Sequence, residues 1–150
     1  MNAGDSLMAL EGQLMARLSE QLADLGFKVH VMAAADLAGV TEATQPTPAV
    51  HVIYQGYRVV ESQSSGRVAR IEQTWLATVA TRNLKDLRTG SAARAHAGLI
   101  AARVVGALMG FKPAAVAKPL RLAEGPGAGF SDGHAYFPLA FVAELVLAST

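Results

Sequence analysis

The residues best suited to chemistry in this chain are four histidines and one short run that combines Ser, Asp and His. None of His30, His51, His96 and His134 stands at a helical metal-ligand spacing from another His, Asp or Glu. Residues 131–134 read Ser-Asp-Gly-His, but a catalytic triad needs side chains that converge in space, which sequence neighbours rarely do. We therefore interpret His30 and His51 as structural residues and residues 131–134 as a turn.

Other chemical signatures are equally weak. The segment 125–129 (Gly-Pro-Gly-Ala-Gly) lacks the Lys-Ser/Thr pair of a phosphate-binding loop and does not open a helix after a strand, so it predicts a flexible loop. The carboxylates form no spaced pair that suggests acid–base work. The chain has no cysteine, which excludes disulfides, thiolate zinc sites and iron–sulfur clusters. We expect no catalytic residue, no metal and no cofactor, and hence not an enzyme.

Length and composition indicate one domain that spans residues 1–150. The chain weighs 15.6 kDa and is 51% hydrophobic and 17% charged, enough for a core that needs no metal or disulfide. The longest apolar run, residues 136–148, is broken by Pro138 and Glu144 and is too short to cross a membrane. The N-terminus lacks the order of a signal peptide. We therefore expect a protein of the cytoplasm that has no membrane contact.

The chain begins with a helical pattern. Asp5 or Ser6 can cap this helix and Gly26 can end it. A second helix follows Ser91 and runs to about residue 109. Its predicted buried stripe is rich in Ala and Gly, which would let it lie close to a sheet. The apolar stripe of the first helix is Leu7, Leu10, Leu14, Leu18, Leu22 and Leu25, and that of the second is Ala95, Leu99, Ala102, Gly106 and Met109, widened by Ile100, Val104 and Leu108.

Alternating patterns predict five strands, and Trp75 is predicted to lie in the core. Two of these strands flank a polar turn at residues 62–66 and make a long hairpin whose polar ends suggest a projecting ribbon; Gly56 marks a bulge. The order α-β-β-β-α-β-β indicates an α+β domain with a mostly antiparallel sheet and both helices on one face. The predicted strands are residues 27–32, 49–62, 67–81, 118–124 and 136–147, the last of them central.

The net charge of +1 conceals a division along the chain. Residues 1–50 carry −4, residues 51–121 carry +8 and residues 122–150 carry −3. Unlike charges on different faces suit nucleic acid or copies of the same chain that meet head to tail. The basic run at residues 82–88 lacks the aromatic residues of a single-strand binder and the pattern of a helix-turn-helix.

Four features together resemble the tail terminator (tail completion) proteins of long-tailed bacteriophages, in particular the branch of Mu-like phages. The first feature is the N-terminal amphipathic helix with a Val-rich strand, and the second is the His-Val-Ile-Tyr strand (residues 51–54) that leads to the hairpin. The third is the run Gln-Thr-Trp-Leu-Ala-Thr-Val-Ala-Thr-Arg-Asn (residues 73–83), which is followed by a helix with Ala97-Gly98. The fourth is the late Tyr-Phe-Pro-Leu-Ala-Phe strand (residues 136–141). The resemblance covers nearly the whole chain.

The resemblance implies a structural protein of the virion that lies at the head–tail junction. It implies a homohexameric ring that caps the tail tube, ends tube polymerisation, presents its other face to head-completion proteins and lets DNA pass through its lumen. From exposure and charge we expect the ring-to-tube and subunit contacts on the hairpin and on the basic run. These candidate interface residues are Tyr57, Arg58, Glu61, Arg67, Arg70, Arg82, Lys85 and Arg88.

Three alternatives remain open from the sequence. One is another head–tail connector or tail-tube protein on a similar scaffold. Another is a small nucleic-acid-binding module that uses residues 82–103, whose affinity should fall steeply as salt rises. The third is a small enzyme, which the absence of a convergent nucleophile, base or metal set disfavours.

Overall fold

The computed structural model of the protein describes residues 6–82 and 91–150, and the architecture below refers to those residues. Two α-helices and six β-strands follow one another, with two short 3-10 helices, Ala34–Leu37 and Glu42–Thr44, before the second strand. The bounds are α1 Ala9–Gln21, β1 His30–Ala33, β2 Ala49–Ser62, β3 Val68–Arg82, α2 Ser91–Leu108, β4 Arg121–Ala123, β5 Gly129–Ser131 and β6 His134–Ala148.

The strands form one sheet in the order β1-β2-β3-β6-β4, and β5 pairs with β6 as well. Only the β1–β2 pair is parallel, and the others are antiparallel. Both helices pack on one face of the sheet, where they share a single core. The predicted α+β class and the interior place of the last strand are therefore confirmed.

β5 is not among the strands that the sequence predicts, since Gly129 falls in the predicted loop and Ser131 in the predicted turn. It pairs with the start of β6 through a two-residue turn at Asp132 and Gly133. Both turn residues have positive φ, 48° and 81°, as Asp-Gly does in a tight hairpin turn. The expected turn at residues 131–134 is thus present, and it joins two strands.

α1 largely follows its leucine pattern. The side chains of Leu10, Leu14, Leu18 and Leu22 are buried, whereas Leu7 is 43% exposed. Ser6 Oγ accepts a hydrogen bond from the Met8 amide at 3.1 Å, but the N-cap of the helix is Met8, whose side chain makes no capping bond, so the predicted cap at Ser6 is wrong. Asp5, the other predicted cap, lies outside the described residues. The helix ends at Gln21 with Leu22 as its C-cap, so Gly26, whose φ is +83°, lies beyond the helix rather than at its predicted end.

The predicted stripe of α2 is wrong, because the helix presents that side to solvent. Of the predicted apolar residues only Ile100, Val104 and Leu108, which were expected to widen the stripe, are buried, together with Ala97, Ala101 and Ala107. α2 is apolar nearly all round, so a 3.6-residue period can be drawn through more than one set of positions. Only its packing against β3 and β6 selects one of them.

A buried polar chain joins the sheet to the N-terminal turn. Trp75 is in the core, as predicted, and its Nε1 donates to Gln73 Oε1 at 3.1 Å. Gln73 is fully buried, and its Nε2 donates to the Leu7 carbonyl at 2.7 Å. The buried polar atoms of Trp75 and Gln73 thus have partners, which offsets the free-energy cost of removing them from water.

The long hairpin is not a lone two-stranded ribbon, contrary to the expectation from sequence. β6 flanks β3 over its whole length, from Val68 opposite Ala148 to Arg82 opposite His134. The far end of the hairpin is therefore the far end of a three-stranded sheet. A third strand supplies the support that an isolated hairpin lacks.

A matched pair of leucine substitutions tests the extent of the core. Leu18→Ala should lower the free energy of unfolding by about 2–5 kcal/mol, because it leaves a cavity between α1 and the sheet. Leu7→Ala should change it by less than about 0.5 kcal/mol, since this side chain is largely exposed. Urea unfolding followed by circular dichroism measures both, and equal losses would contradict this placement of α1.

Candidate functional site: an open sheet edge and a charged face

One edge of the sheet carries a long unpaired stretch. β1 pairs with β2 only from Ala49 to Val52. Within the described parts of the chain, residues 53–62 of β2 have no strand neighbour on that side, and we call them the open edge. An unpaired edge presents backbone N–H and C=O groups that can pair with another chain. This edge can therefore accept a strand from a partner.

Two β-bulges shape the open edge. The register with β3 shifts between Tyr54 and Gly56 and again between Val59 and Glu61. Gly56 has a φ of +114°, which confirms the predicted bulge at this position. Bulges twist an edge and restrict indiscriminate pairing. The two bulges therefore limit the length of regular strand that could pair along the open edge.

The first bulge determines which side chains face which side of the sheet. Beyond it, Tyr57 lies opposite Gln73 and Val59 opposite Ile71, on the side that the helices cover elsewhere. Tyr57 is 61% exposed, and Val59 is exposed as well. Aromatic residues are enriched in protein interfaces because they offer a large apolar area and a hydrogen-bonding tip. Tyr57 is thus exposed as the sequence reasoning expected.

The opposite side of the same part of the sheet carries a row of charges. Glu72 and Glu144 lie directly opposite each other across β3 and β6, with side chains only 12% and 7% exposed. Like charges in that position destabilise a sheet unless cations compensate them. The compensating contacts are Arg58 to Glu72 at 3.2 Å, Arg121 to Glu72 at 2.9 Å, Arg70 to Glu144 at 3.0 Å and Lys118 to Glu144 at 3.5 Å.

Arg70 also reaches Glu61, at 2.9 Å, and so bridges two carboxylates. We call this set the charged face: Arg58, Glu61, Arg70, Glu72, Lys118, Arg121 and Glu144. Three predicted interface residues, Arg58, Glu61 and Arg70, therefore belong to ion pairs within the subunit. Arg58 and Glu61 stay mostly exposed, so their outward sides remain accessible to a partner.

The environment of Glu72 acts on its pKa in both directions. Burial raises the pKa of this carboxyl, but the hydrogen bond and charge of Arg121, together with Arg58, lower it further than burial raises it. The net pKa lies below the ordinary value. Its contribution to stability is therefore present above the pKa of the unfolded chain and is lost as the pH falls through the lowered pKa of the folded state.

The remaining predicted site residues lie in two separate places. Arg67 is exposed in the turn that joins β2 to β3. Arg82 is exposed at the other end of β3, roughly 45 Å away along the strand, and donates to the Ala43 carbonyl at 3.4 Å. The structure thus does not bring the hairpin residues and Arg82 together.

Two further predicted site residues, Lys85 and Arg88, lie outside the described residues.

A hydrogen-bonded cluster near β5 escaped sequence reasoning. The Tyr136 hydroxyl donates to Glu42 Oε2 at 2.5 Å and accepts from Gln45 Nε2 at 2.8 Å. Ser131 Oγ donates to Glu42 Oε1 at 3.1 Å. The cluster ties the segment between β1 and β2 to the last hairpin of the sheet. No local pattern could reveal it, because its members come from positions about ninety residues apart.

The cluster shifts the pKa values of its two acids in opposite directions. Burial, aided by the hydrogen bond to Glu42, raises the pKa of Tyr136 to about 12. The hydrogen bond from Tyr136 in turn lowers the pKa of Glu42. Tyr136 therefore stays a neutral donor and Glu42 a charged acceptor over the range from pH 6 to 9, which suits a structural tether.

Two of the four histidines, His51 and His134, are buried in the sheet, and three of their ring nitrogens have no hydrogen-bond partner within the described residues. His51 is buried, and the loss of water lowers its pKa, so it is neutral at pH 7. His134 is buried and its ring stacks on Tyr136 at 6.1 Å between centroids. Ser131 bonds to Glu42 rather than to His134. Within residues 6–82 and 91–150, no group of three or more His, Asp or Glu could hold a metal ion, and no helix there is long and apolar enough to cross a bilayer.

The two most distinctive features of the described structure are surfaces, the open edge and the charged face. An unpaired strand edge and a charged sheet face are features on which protein chains can pair. The model of the family "Phage tail terminator protein" matches residues 5–149, almost the entire chain. The chain belongs to this family and is a structural protein of the bacteriophage tail, located in the virion.

No curated protein matches the chain. The narrower expectation of a Mu-like branch stays a prediction, since the family match covers tail terminators in general.

Removing one cation tests the charged face. Arg70→Met should lower the free energy of unfolding by about 1–3 kcal/mol, because the nearly buried Glu144 loses its closest partner. Arg58→Met should have an effect below about 1 kcal/mol, since Arg58 is exposed and Glu72 keeps Arg121. Thermal and urea unfolding measure both variants, and equal effects would contradict the unequal burial on which this expectation depends.

Tyr136→Phe tests the tether. It removes both hydrogen bonds of the hydroxyl, so amide hydrogen exchange at residues 41–45 should accelerate several-fold while the core amides stay unchanged. An ultraviolet titration of the folded protein should lose its tyrosinate component near pH 12. Tyr57→Phe is the matched control, because that ring is exposed; loss of the same component in this control would reject the assignment.

Proposed function

We propose that this protein forms a homohexameric ring that caps the finished tail tube, stops addition of further tube subunits and offers its other face to head-completion proteins. The observation that carries the proposal is the family match over residues 5–149. Termination of a polymer requires one face that binds the last subunit and another face that no further tube subunit can bind. A ring of identical, asymmetric subunits has two such different faces.

The open edge supports a role in contacts with the tube or a neighbouring subunit. Residues 53–62 offer unpaired backbone groups to an incoming strand, and exposed Tyr57 offers a side-chain anchor. The eight candidate residues named from the sequence remain our proposed contact residues. Arg70 is the least suitable of them for substitution, because it also holds Glu144 within the subunit.

The charged face supports passage of DNA without tight binding. Its cations lie within 3.5 Å of carboxylates, so their attraction to phosphate is partly cancelled. Tight non-specific binding requires cations that are free to replace the counterions of DNA. If this face lines the lumen, DNA can slide past it during ejection.

Electron microscopy of the purified protein tests the ring directly, and a tube assay tests the cap. We expect closed rings with a hole wide enough for duplex DNA, and tail tubes that stop growing when the protein is added to polymerising tube subunits. Continued growth of the protein into long tubes would instead identify a tube protein. Salt-sensitive DNA binding with no ring would identify a nucleic-acid-binding module.

A charge reversal on the hairpin tests the proposed contacts. Arg67→Glu should weaken capping by about tenfold or more, because it reverses the charge at the proposed contact. Lys112→Glu, a reversal at another exposed cation, should cap normally. Tube length by electron microscopy gives the readout, and a thermal melt confirms folding of both variants. Normal capping by Arg67→Glu would show that the hairpin turn does not take part in the contact with the tube.

A further inference from the structure

α2 presents an apolar face that nothing in the described chain covers. This face runs from Ala95 to Met109, one residue past the helix, over roughly 21 Å. Leu99 and Met109 are 57% and 56% exposed, although burial of such side chains is strongly favourable in water. We call the face the α2 stripe; it consists of Ala95, Leu99, Ala102, Gly106 and Met109.

Nothing in the described structure of the subunit requires glycine at two positions on this side of α2. A Cβ placed on Gly98 or Gly106 would meet no atom within 4 Å. Neither glycine has a positive φ, so neither is needed for an unusual backbone conformation. Glycine lowers the stability of a helix relative to alanine. The close approach of another chain would account for both.

Charge decides which kind of surface fits the α2 stripe. α2 contains no Asp or Glu between Ser91 and Leu108. Exposed Arg94 and Arg103 flank the stripe, and Arg103 reaches Asp24 at 2.6 Å. A matching surface should thus be apolar with an acidic rim.

Such a surface exists on this same chain, along β4 and β5. Leu122, Phe130 and Phe137 are exposed there. Glu124 and Asp132 are exposed beside them, and the sequence has no Lys or Arg after Arg121. We call these five residues the acidic edge. It has the apolar centre and acidic rim that the α2 stripe requires.

We propose that the α2 stripe of one copy docks on the acidic edge of the next copy, in a head-to-tail contact. Two stripes facing each other would oppose Arg94 of one copy with cations of the other, whereas the acidic edge opposes it with carboxylates. Arg103 contributes less to this preference, because Asp24 already compensates its charge within the subunit. A contact between two different surfaces propagates around a ring. The inference rests on the proposed ring, and it identifies the interface between subunits.

Sedimentation of the full-length protein at micromolar concentration tests the contact. Gly106→Ala should raise the melting temperature of the subunit by about 2–4 °C, yet weaken self-association about tenfold, because its methyl group separates the two surfaces. Leu99→Lys should abolish assembly while the circular dichroism spectrum stays unchanged. Gly12→Ala is the matched control: Gly12 is also an exposed helical glycine with open space around it, in α1. It should stabilise the chain to a similar extent and assemble normally.

A charge exchange supplies a second measurement. Arg94→Glu alone, or Glu124→Lys and Asp132→Lys together, should weaken assembly, and a chain that carries all three changes should regain it. Normal assembly by both Gly106→Ala and Leu99→Lys would overturn the proposed contact and leave the ring proposal standing. A wild-type protein that stays monomeric would overturn both proposals. Variants that assemble normally but fail to cap tubes would show that the α2 stripe binds another tail protein and not a second copy of this chain, which would overturn the proposed contact.

Discussion

The pairing of β3 with β2 on one side and β6 on the other, along its whole length, is the constraint on which the rest of this structure depends. It allows a hairpin with arms of 14 and 15 residues in a chain of only 150. It also extends the sheet beyond β1 and β4, which pair with only a few residues each. The open edge is a direct result, because β2 continues well past its last contact with β1.

The same pairing sets the electrostatics of the far sheet. Antiparallel register places Glu72 opposite Glu144, and this repulsion is offset only because four cations converge on the two carboxylates. Much of the positive charge in the middle of the sequence is thereby balanced inside the fold. For a structural protein of a phage tail, a face with balanced charge suits contact with DNA and protein without strong attraction to either.

The two helices show why periodicity predicted one burial pattern and failed on the other. In α1, polar residues separate the leucines, so only one face is apolar and the prediction for Leu10, Leu14, Leu18 and Leu22 is confirmed. In α2, Ala and Gly leave more than one face apolar, and the choice between the face of Leu99 and the face of Ile100 depends on the sheet beneath. The exposed candidates Tyr57 and Arg67 followed from turn and strand patterns, whereas the ion pairs of Arg58 and Arg70 required the register of three strands.

The sequence by itself determined the α+β class, the limits of β2, the leucine face of α1 and the core position of Trp75, because each depends on side chains within a few residues of one another. It also carried the resemblance to tail terminators, which the family match confirms. Only the tertiary structure decided that the hairpin has a third strand beside it, that Glu42 binds Tyr136 and that one apolar side of α2 faces solvent. These features join residues far apart in the chain. Their contribution to the free energy of folding therefore arises only when the sheet brings those residues together.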